Sequence, residues 1–373
     1  MAQLICGKCD ATYQADQPIW RCDCGGSLDL EFKPVIEKKK IASRKPTMWR
    51  YREALPIAED STAISFDEGF TPLLELEFNG KPVLVKQDHI FQTGSYKDRG
   101  AAVLVSKARE LGVTEVVEDS SGNAGSAIAA YCALAGIKCH VYVPEKTSPG
   151  KLAQIKSYGA HLHLISGSRE ETSEAALEAA EKIYYASHSW NPYFFQGTKT
   201  FAYEVCEQLG WRSPDIVILP VGNGTLLLGA SIGFDELKSV GAIDKIPKLI
   251  AVQAKACAPL YEMFRNGLNE TPSISVYNTV AEGIAIAEPI RGEQIIEAVV
   301  KSKGDFLIVT EDEIGKSLMN VCQRGFYIEP TAAATIAGLE KYLLDSSGDE
   351  LIVTAFTGHG LKSTDKMMKI TTG

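Results

Sequence analysis

Positive charge is in deficit in this chain of 373 residues: 38 lysines and arginines face 47 aspartates and glutamates, for a formal charge of -9. No basic stripe offsets the acidity, which argues against a general nucleic-acid surface or an anionic-membrane surface. Long apolar runs are missing as well. The longest nearly apolar stretch, Ala124 to Ile137, falls short of the roughly 20 residues needed to cross a bilayer and reads as a buried helix. The start, Met1-Ala2-Gln3-Leu4-Ile5-Cys6, has neither the basic flank nor the apolar core of a signal peptide, so a cytoplasmic protein with no membrane partner is expected. Internal repeats and low-complexity tracts are lacking too. With 45% hydrophobic and 23% charged residues, the remaining balance is that of a globular chain able to bury a sizeable core.

The nine cysteines divide by position. Cys132, Cys139, Cys206, Cys257 and Cys322 are scattered through apolar stretches and read as reduced core residues. Cys6-x2-Cys9 and Cys22-x-Cys24-Gly25-Gly26 crowd the start, where two turns each offering a pair of thiolates suit a small ribbon around a structural zinc ion. The second pair is one residue tighter than the usual knuckle, so free thiols on a ribbon-shaped remnant stay open. The charged, proline-containing stretch from Phe32 to Thr47 marks a boundary after a zinc-ribbon-like module over residues 1–35.

Beyond it, short apolar runs alternate with helical patterns. Strands are expected at Val83–Lys86, Glu115–Val117, Cys139–Val143 and His161–Ile165, with helices near 98–111, 124–135, 149–158 and 170–186. A second series places strands at Asp215–Val221, Leu249–Val252, Phe306–Val309 and Leu351–Ala355, with helices near 225–240, 257–266, 311–324 and 330–344. The expected class is α/β, with two open parallel sheets in two lobes: a small domain over 90–190 and a large one over 41–89 and 191–373.

In open α/β sheets, ligands sit at the carboxyl ends of strands against the N-termini of the following helices. Ser120-Ser121-Gly122-Asn123-Ala124-Gly125 follows one strand, and its backbone N–H groups and hydroxyls suit a carboxylate. Gly222-Asn223-Gly224-Thr225 follows another; its glycines and the helix start behind them suit a phosphate. No Gly-Lys-Ser/Thr follows, so it is not a Walker loop, and the G-x-G-x-x-G spacing of a dinucleotide fingerprint is absent. Thr357-Gly358-His359-Gly360-Leu361-Lys362 follows the last strand and can aim one neutral hydroxyl at a ligand, with His359 either structural or a general base. Gly94-Ser95-Tyr96-Lys97-Asp98-Arg99-Gly100-Ala101 sets a lysine in a polar turn before an apolar helix. Lys97 is a candidate Schiff-base nucleophile, because such a lysine must be held near its target and partly shielded from water. By itself the octapeptide also fits a plain first-turn lysine behind a Ser95/Asp98 cap. A phosphate cradle, an anion-binding helix start, an imine-forming lysine and a terminal hydroxyl together fit one phosphorylated aldehyde cofactor, pyridoxal phosphate.

These motifs resemble the threonine synthase family of fold-type II, tryptophan synthase β-like, pyridoxal-phosphate enzymes. The likeness runs from the cysteine pairs through Glu68-Gly69-Phe70-Thr71-Pro72-Leu73, the Lys97 turn, Ser121-Gly122-Asn123, Asn191-Pro192, Lys199-Thr200 and Glu329-Pro330-Thr331 to the Thr357–Lys362 turn. The resemblance implies that Lys97 binds the cofactor and later moves protons, and that Asn123 contacts its phenolic oxygen. It further implies that Gly222, Asn223, Gly224 and Thr225 hold its phosphate, that Thr357 meets its pyridine nitrogen, and that Ser120, Ser121, Gly122 and Ala124 receive the substrate carboxylate. The implied activity is that of a carbon–oxygen lyase converting O-phosphohomoserine and water to threonine and phosphate, in a homodimer acting on a small amino acid. Three positions depart from the family pattern: Phe194 stands where an arginine commonly follows Asn-Pro, Ala124 where a threonine is frequent, and Leu226 where the cradle often has a second asparagine. Ala281-Glu282-Gly283-Ile284-Ala285 also reads more like the dehydratase relatives. A ring supplies no bidentate phosphate contact, so a serine or threonine dehydratase, or a phosphoserine-using enzyme such as a cysteate synthase, is the alternative. A zinc-ribbon binding protein with an inactive α/β body is the alternative from another class.

Overall fold

The computed structural model describes residues 2–58, 62–147, 149–167, 169–274, 277–346 and 348–372. Its strands, in chain order, are β1 (Gln3–Cys6), β2 (Thr12–Gln14), β3 (Leu28–Glu31), β4 (Leu73–Phe78), β5 (Lys81–Lys86), β6 (Glu115–Glu118), β7 (Lys138–Pro144), β8 (His161–Ile165), β9 (Tyr184–Tyr185), β10 (Ile216–Pro220), β11 (Lys248–Ala254), β12 (Asp305–Val309) and β13 (Ile352–Ala355). They fall into two compact units, one of residues 1–69 and 97–198, the other of residues 70–96 and 199–373.

The first unit contains a parallel sheet of order β8-β7-β6-β9 and a small antiparallel sheet of order β2-β1-β3. Helix Lys97–Glu110 runs through its core. Val103, Leu104 and Val105 are fully buried, each worth about 1.5–3 kcal/mol relative to exposure. That helix packs against helices Asn123–Ala135 and Pro192–Thr198, and two glycines set the approach. A Cβ on Gly100 would lie 2.3 Å from the Phe194 ring, and one on Gly197 would lie 1.9 Å from the Arg99 carbonyl oxygen. The cysteine-bearing sheet is anchored to this core. Trp20 donates its Nε1–H to the Ala180 carbonyl at 3.3 Å and meets Tyr185 edge-on at 4.8 Å, while Tyr193 donates its hydroxyl to the Ala15 carbonyl at 3.0 Å.

The second unit is built on a sheet of order β12-β11-β10-β13-β5-β4. All its pairings are parallel except β4 with β5. All five residues of β10 are buried, as expected for a central strand covered on both faces. Hydrophobic pattern alone does not mark β4, although the Asn79-Gly80 turn that joins it to β5 is a strong hairpin signal. Both residues have positive φ, at 48° and 73°, which asparagine and glycine tolerate. Helices Lys38–Ala42, Pro192–Thr198, Thr200–Gln208, Gly292–Lys301 and Thr364–Thr372 likewise go beyond the expected pattern.

One expected helix is shorter than its pattern. The stretch near 170–186 is helical only over Arg169–Ala179, and Tyr184 and Tyr185 instead pair with Val116 and Val117 of β6. Both tyrosines are buried. Adjacent buried aromatics are served by a strand, whose side chains alternate between two covered faces, whereas an amphipathic helix end would expose one of them. The buried helix expected from Ala124 to Ile137 is present as Asn123–Ala135, closed by Gly136 in the left-handed conformation. Of the scattered cysteines, Cys132, Cys139, Cys206 and Cys257 are buried, and Cys322 is only half-buried.

Candidate active site

In the first unit, Lys97 opens helix Lys97–Glu110 and is partly buried, so it is not the freely solvated first-turn residue that the octapeptide alone allows. Its Nζ lies 5.7 Å from the centroid of the Phe194 ring. The ring is fully buried and packs on the face that Gly100 leaves open. The loop from Ser120 to Gly122 leaves the carboxyl end of β6 and feeds helix Asn123–Ala135. Gly122 caps that helix with no side-chain hydrogen bond, leaving its first-turn N–H groups for backbone, water or an anion. The Gly122 N–H donates to Ser120 Oγ at 3.2 Å, and the Ser126 N–H donates to the Gly122 carbonyl at 3.1 Å. The loop folds back tightly: a Cβ on Gly125 would lie 1.8 Å from the Ser120 carbonyl oxygen.

The Phe194 ring also meets His188 edge-on at 6.0 Å, and His188 belongs to a pair that sequence reasoning missed. Glu118, the last residue of β6, is fully buried, and its Oε1 lies 3.1 Å from His188 Nδ1. Burial pushes its carboxyl up to about 8, against the opposing pull of Lys97 and of the His188 backbone N–H. A signal existed in the sequence, since Glu115-Val116-Val117-Glu118 ends an apolar strand on an acid just before a ligand loop. The histidine comes from 70 residues further along the chain.

In the second unit, β10 and β13 are parallel neighbours, so the Gly222–Thr225 and Thr357–Lys362 turns both leave the carboxyl ends of the strands. A Cβ on Gly222 would lie 2.9 Å from Ile284 Cα, and one on Gly224, where φ is +66°, would lie 2.4 Å from Ile295 Cδ1. Only glycine fits both places. Thr225 opens helix Thr225–Ser239, and its Oγ1 lies 2.8 Å from the Tyr96 hydroxyl. Thr357 is fully buried, and its Oγ1 finds no hydrogen-bond partner among the described residues; the same holds for Ser95 Oγ. Ser95 therefore does not cap the Lys97 helix. The segment is instead sewn to the last turn: Ser95 bridges Gly358, the Tyr96 N–H donates to the Thr357 carbonyl at 3.0 Å, and Lys362 Nζ donates to the Thr93 carbonyl at 2.8 Å. His359 is structural, because its Nδ1 accepts the Leu361 N–H at 3.2 Å and caps the following turn.

A buried threonine hydroxyl without a partner is costly to retain unless something completes it. Its position beside a glycine cradle matches a ligand with a phosphate and a hydrogen-bonding ring atom. The sequence decides between ligands of that kind. Residues 64–358 match the family model described as pyridoxal-phosphate dependent enzyme. The chain is 38% identical to a threonine synthase of Methanocaldococcus jannaschii over 98% of its own length and 94% of that protein's. This chain belongs to the threonine synthase family of pyridoxal-phosphate dependent enzymes. A threonine synthase of Methanosarcina acetivorans is 34% identical over 99% of the chain and 94% of that protein. Among solved structures, threonine deaminase isoform 2 from Solanum lycopersicum superposes with a TM-score of 0.70 over 91% of this chain and 90% of its own, at 22% identity, a likeness of fold.

Within this family the orphaned Thr357 hydroxyl and the Gly222–Thr225 cradle fit pyridoxal phosphate. The three departures from the family pattern, Ala124, Phe194 and Leu226, are all buried side chains. Tyr96 adds a hydroxyl to the cradle through Thr225. Tyr96→Phe removes one neutral hydrogen bond, worth about 1 kcal/mol net, so cofactor affinity is expected to fall roughly fivefold. Equilibrium titration of cofactor into stripped protein measures this; an unchanged affinity means that the hydroxyl only braces Thr225.

The amino-terminal thiols converge as well. The Sγ atoms of Cys6, Cys9, Cys22 and Cys24 all lie within 4.8 Å of one another, with Cys6–Cys24 and Cys9–Cys22 both at 3.5 Å. The Lys8 N–H donates to Cys6 Sγ at 3.3 Å. Among the described residues no helix is long and apolar enough to cross a membrane.

Proposed function

We propose that this chain converts O-phosphohomoserine and water to threonine and phosphate. The observation that carries the reading is its 38% identity to a threonine synthase over 98% of the chain, which carries Lys97 and the Thr357 turn. Pyridoxal phosphate, when bound, supplies a carbonyl for the lysine and a sink for the electrons released at the substrate α-carbon. Lys97 is the group that binds it covalently, its primary amine being the nucleophile such a linkage requires. Asn123 is assigned to its phenolic oxygen, and Gly222, Asn223, Gly224 and Thr225 to its phosphate. Thr357 is assigned to the ring nitrogen, where a neutral hydroxyl does not enforce protonation as a carboxylate would. Ser120, Ser121, Gly122 and Ala124 receive the substrate carboxylate, aided by the N–H groups of the helix start. Lys97 then takes the α-proton and delivers it along the side chain as phosphate leaves and water adds at the β-carbon.

The test is a product assay. O-phosphohomoserine should yield equal amounts of threonine and phosphate; release of phosphate with 2-oxobutyrate alone would sink threonine synthesis. Phe194 favours a second reading. A fully buried ring stands where the family commonly has an arginine, which suits a shorter or unphosphorylated amino acid undergoing β-elimination or β-replacement. Keto-acid and ammonia release from serine, threonine and phosphoserine separates the two.

We also propose that Cys6, Cys9, Cys22 and Cys24 hold a structural zinc ion. Tetrahedral coordination at a Zn–S distance of about 2.3 Å requires sulfurs roughly 3.8 Å apart, and the convergence of the four thiols supports it. Cys22→Ser should lower the zinc content from one equivalent toward none by elemental analysis and reduce thermal stability, because Cys22 belongs to the buried core shared with Trp20 and Tyr185. Protein grown with zinc but lacking it, with all four thiols open to a thiol reagent in the folded state, would defeat the assignment.

A further inference from the structure

Glu118 is the one fully buried carboxyl in the first unit, among its described residues, whose second oxygen, Oε2, has no hydrogen-bond partner there. Such an arrangement is retained when the group has work to do, since an apolar residue would fill the place at lower cost. The groups facing it come from several elements. Lys97 lies at the start of its helix, His188 follows β9, Tyr185 lies on β9, Cys132 lies on helix Asn123–Ala135, and Asp119 is its chain neighbour. Burial holds the Tyr185 hydroxyl well above its usual range, and the Cys139 contact, aided by burial, does the same for the Cys132 thiol, so both stay neutral. The Phe194 ring places Lys97 with the pair, its centroid lying 5.7 Å from Lys97 Nζ and 6.0 Å from that of the His188 ring, which itself bonds Glu118 at 3.1 Å, and Lys97 opposes the burial of Glu118.

We propose that Glu118, held in place by His188, is a positioning residue that governs the charge of Lys97. When Lys97 carries a proton, an ionised Glu118 stabilises it; when Lys97 is neutral, Glu118 takes up a proton and no charge is left alone in the buried site. The carboxyl, pushed up to about 8, is able to make that change near neutral pH. No bond other than those to the proton is made or broken. The inference rests on the reading of Lys97 as the cofactor-binding lysine, and the test separates the two.

The test follows the absorbance of the lysine-linked cofactor against pH in the full-length loaded protein. Wild type sets the reference midpoint. Glu118→Gln keeps the shape but cannot ionise, so loss of the protonated form is expected about one pH unit lower, a tenfold change in the proton equilibrium. Glu118→Asp withdraws the carboxyl by one methylene and should shift the midpoint in the same direction by less. Borohydride trapping at Lys97, quantified by mass spectrometry across the same pH range, should move in parallel. A Glu118→Gln midpoint equal to wild type overturns the role of Glu118 while leaving Lys97 intact. If that variant fails to fold, an unmoved Glu118→Asp midpoint overturns it equally. A wild-type protein with no lysine-linked band overturns both readings.

Discussion

Lys97→Ala is expected to abolish the lysine-linked cofactor absorbance and to lower turnover by at least the 10²–10⁴-fold that a positioned general base contributes, with the loss of covalent binding added to it. The fold should survive. The side chain is only partly buried, and its removal leaves helix Lys97–Glu110 with its apolar face from Ala101 to Val105 intact. A secondary consequence is electrostatic: without the lysine, Glu118 loses the charge that opposes its desolvation, and its carboxyl should titrate higher still. Lys97→Arg distinguishes the two effects. It keeps a cation near Glu118 and Phe194 but offers no primary amine, so covalent cofactor binding is lost while the electrostatics are largely preserved. Absorbance, borohydride trapping and steady-state rates on the same preparations check the prediction. A Lys97→Ala protein that retains the band would move the cofactor linkage to another lysine.

Gly125→Ala should be the most damaging single methyl in the proposed substrate site. The new Cβ would lie 1.8 Å from the Ser120 carbonyl oxygen, a backbone atom that cannot rotate away, and Ile155 Cδ1 stands 3.3 Å off on the other side. The loop must therefore move. Displacing the N–H groups and hydroxyls meant for the substrate carboxylate by about an ångström is expected to cost roughly 10²-fold in kcat/KM. Overpacking of this kind lowers stability by about 1–3 kcal/mol. Cofactor absorbance should be largely kept, because the phosphate cradle and Thr357 lie on other strands. Steady-state kinetics with a parallel thermal melt would decide it: a variant with wild-type kcat/KM would show that Ser120 to Gly122 do not meet the substrate. Gly197→Ala is a useful control, since a Cβ there would lie 1.9 Å from the Arg99 carbonyl oxygen at a helix contact and should act on stability first.

Most of the regular structure was legible in local pattern. The helix through Ala101–Val105 and the buried strand Ile216–Pro220 announce themselves by apolar runs bounded by turn residues. The exceptions have physical causes. Tyr184 and Tyr185 continue a helical composition but join β6, because strand pairing covers both rings. β4 is half exposed and charged, so its hydrophobic signal is faint and only Asn79-Gly80 marks it. Helix Pro192–Thr198 is buried throughout and has no polar face to give it a period.

The sequence by itself determined that a lysine opens an apolar helix, that three ligand-type turns follow strands, and that four cysteines come in two close pairs. These are properties of neighbours in the chain, set by backbone dihedrals, caps and side-chain periodicity. Only the tertiary structure decided what the distant segments do to one another. It brought His188 to Glu118 by pairing β9 with β6, left the hydroxyls of Ser95 and Thr357 without partners by joining residues 93–96 to the last turn, and drew Cys9 and Cys22 to within 3.5 Å. Parallel strands are joined by long crossovers, so the residues that meet at their carboxyl ends are far apart in the chain and leave no local trace of the meeting.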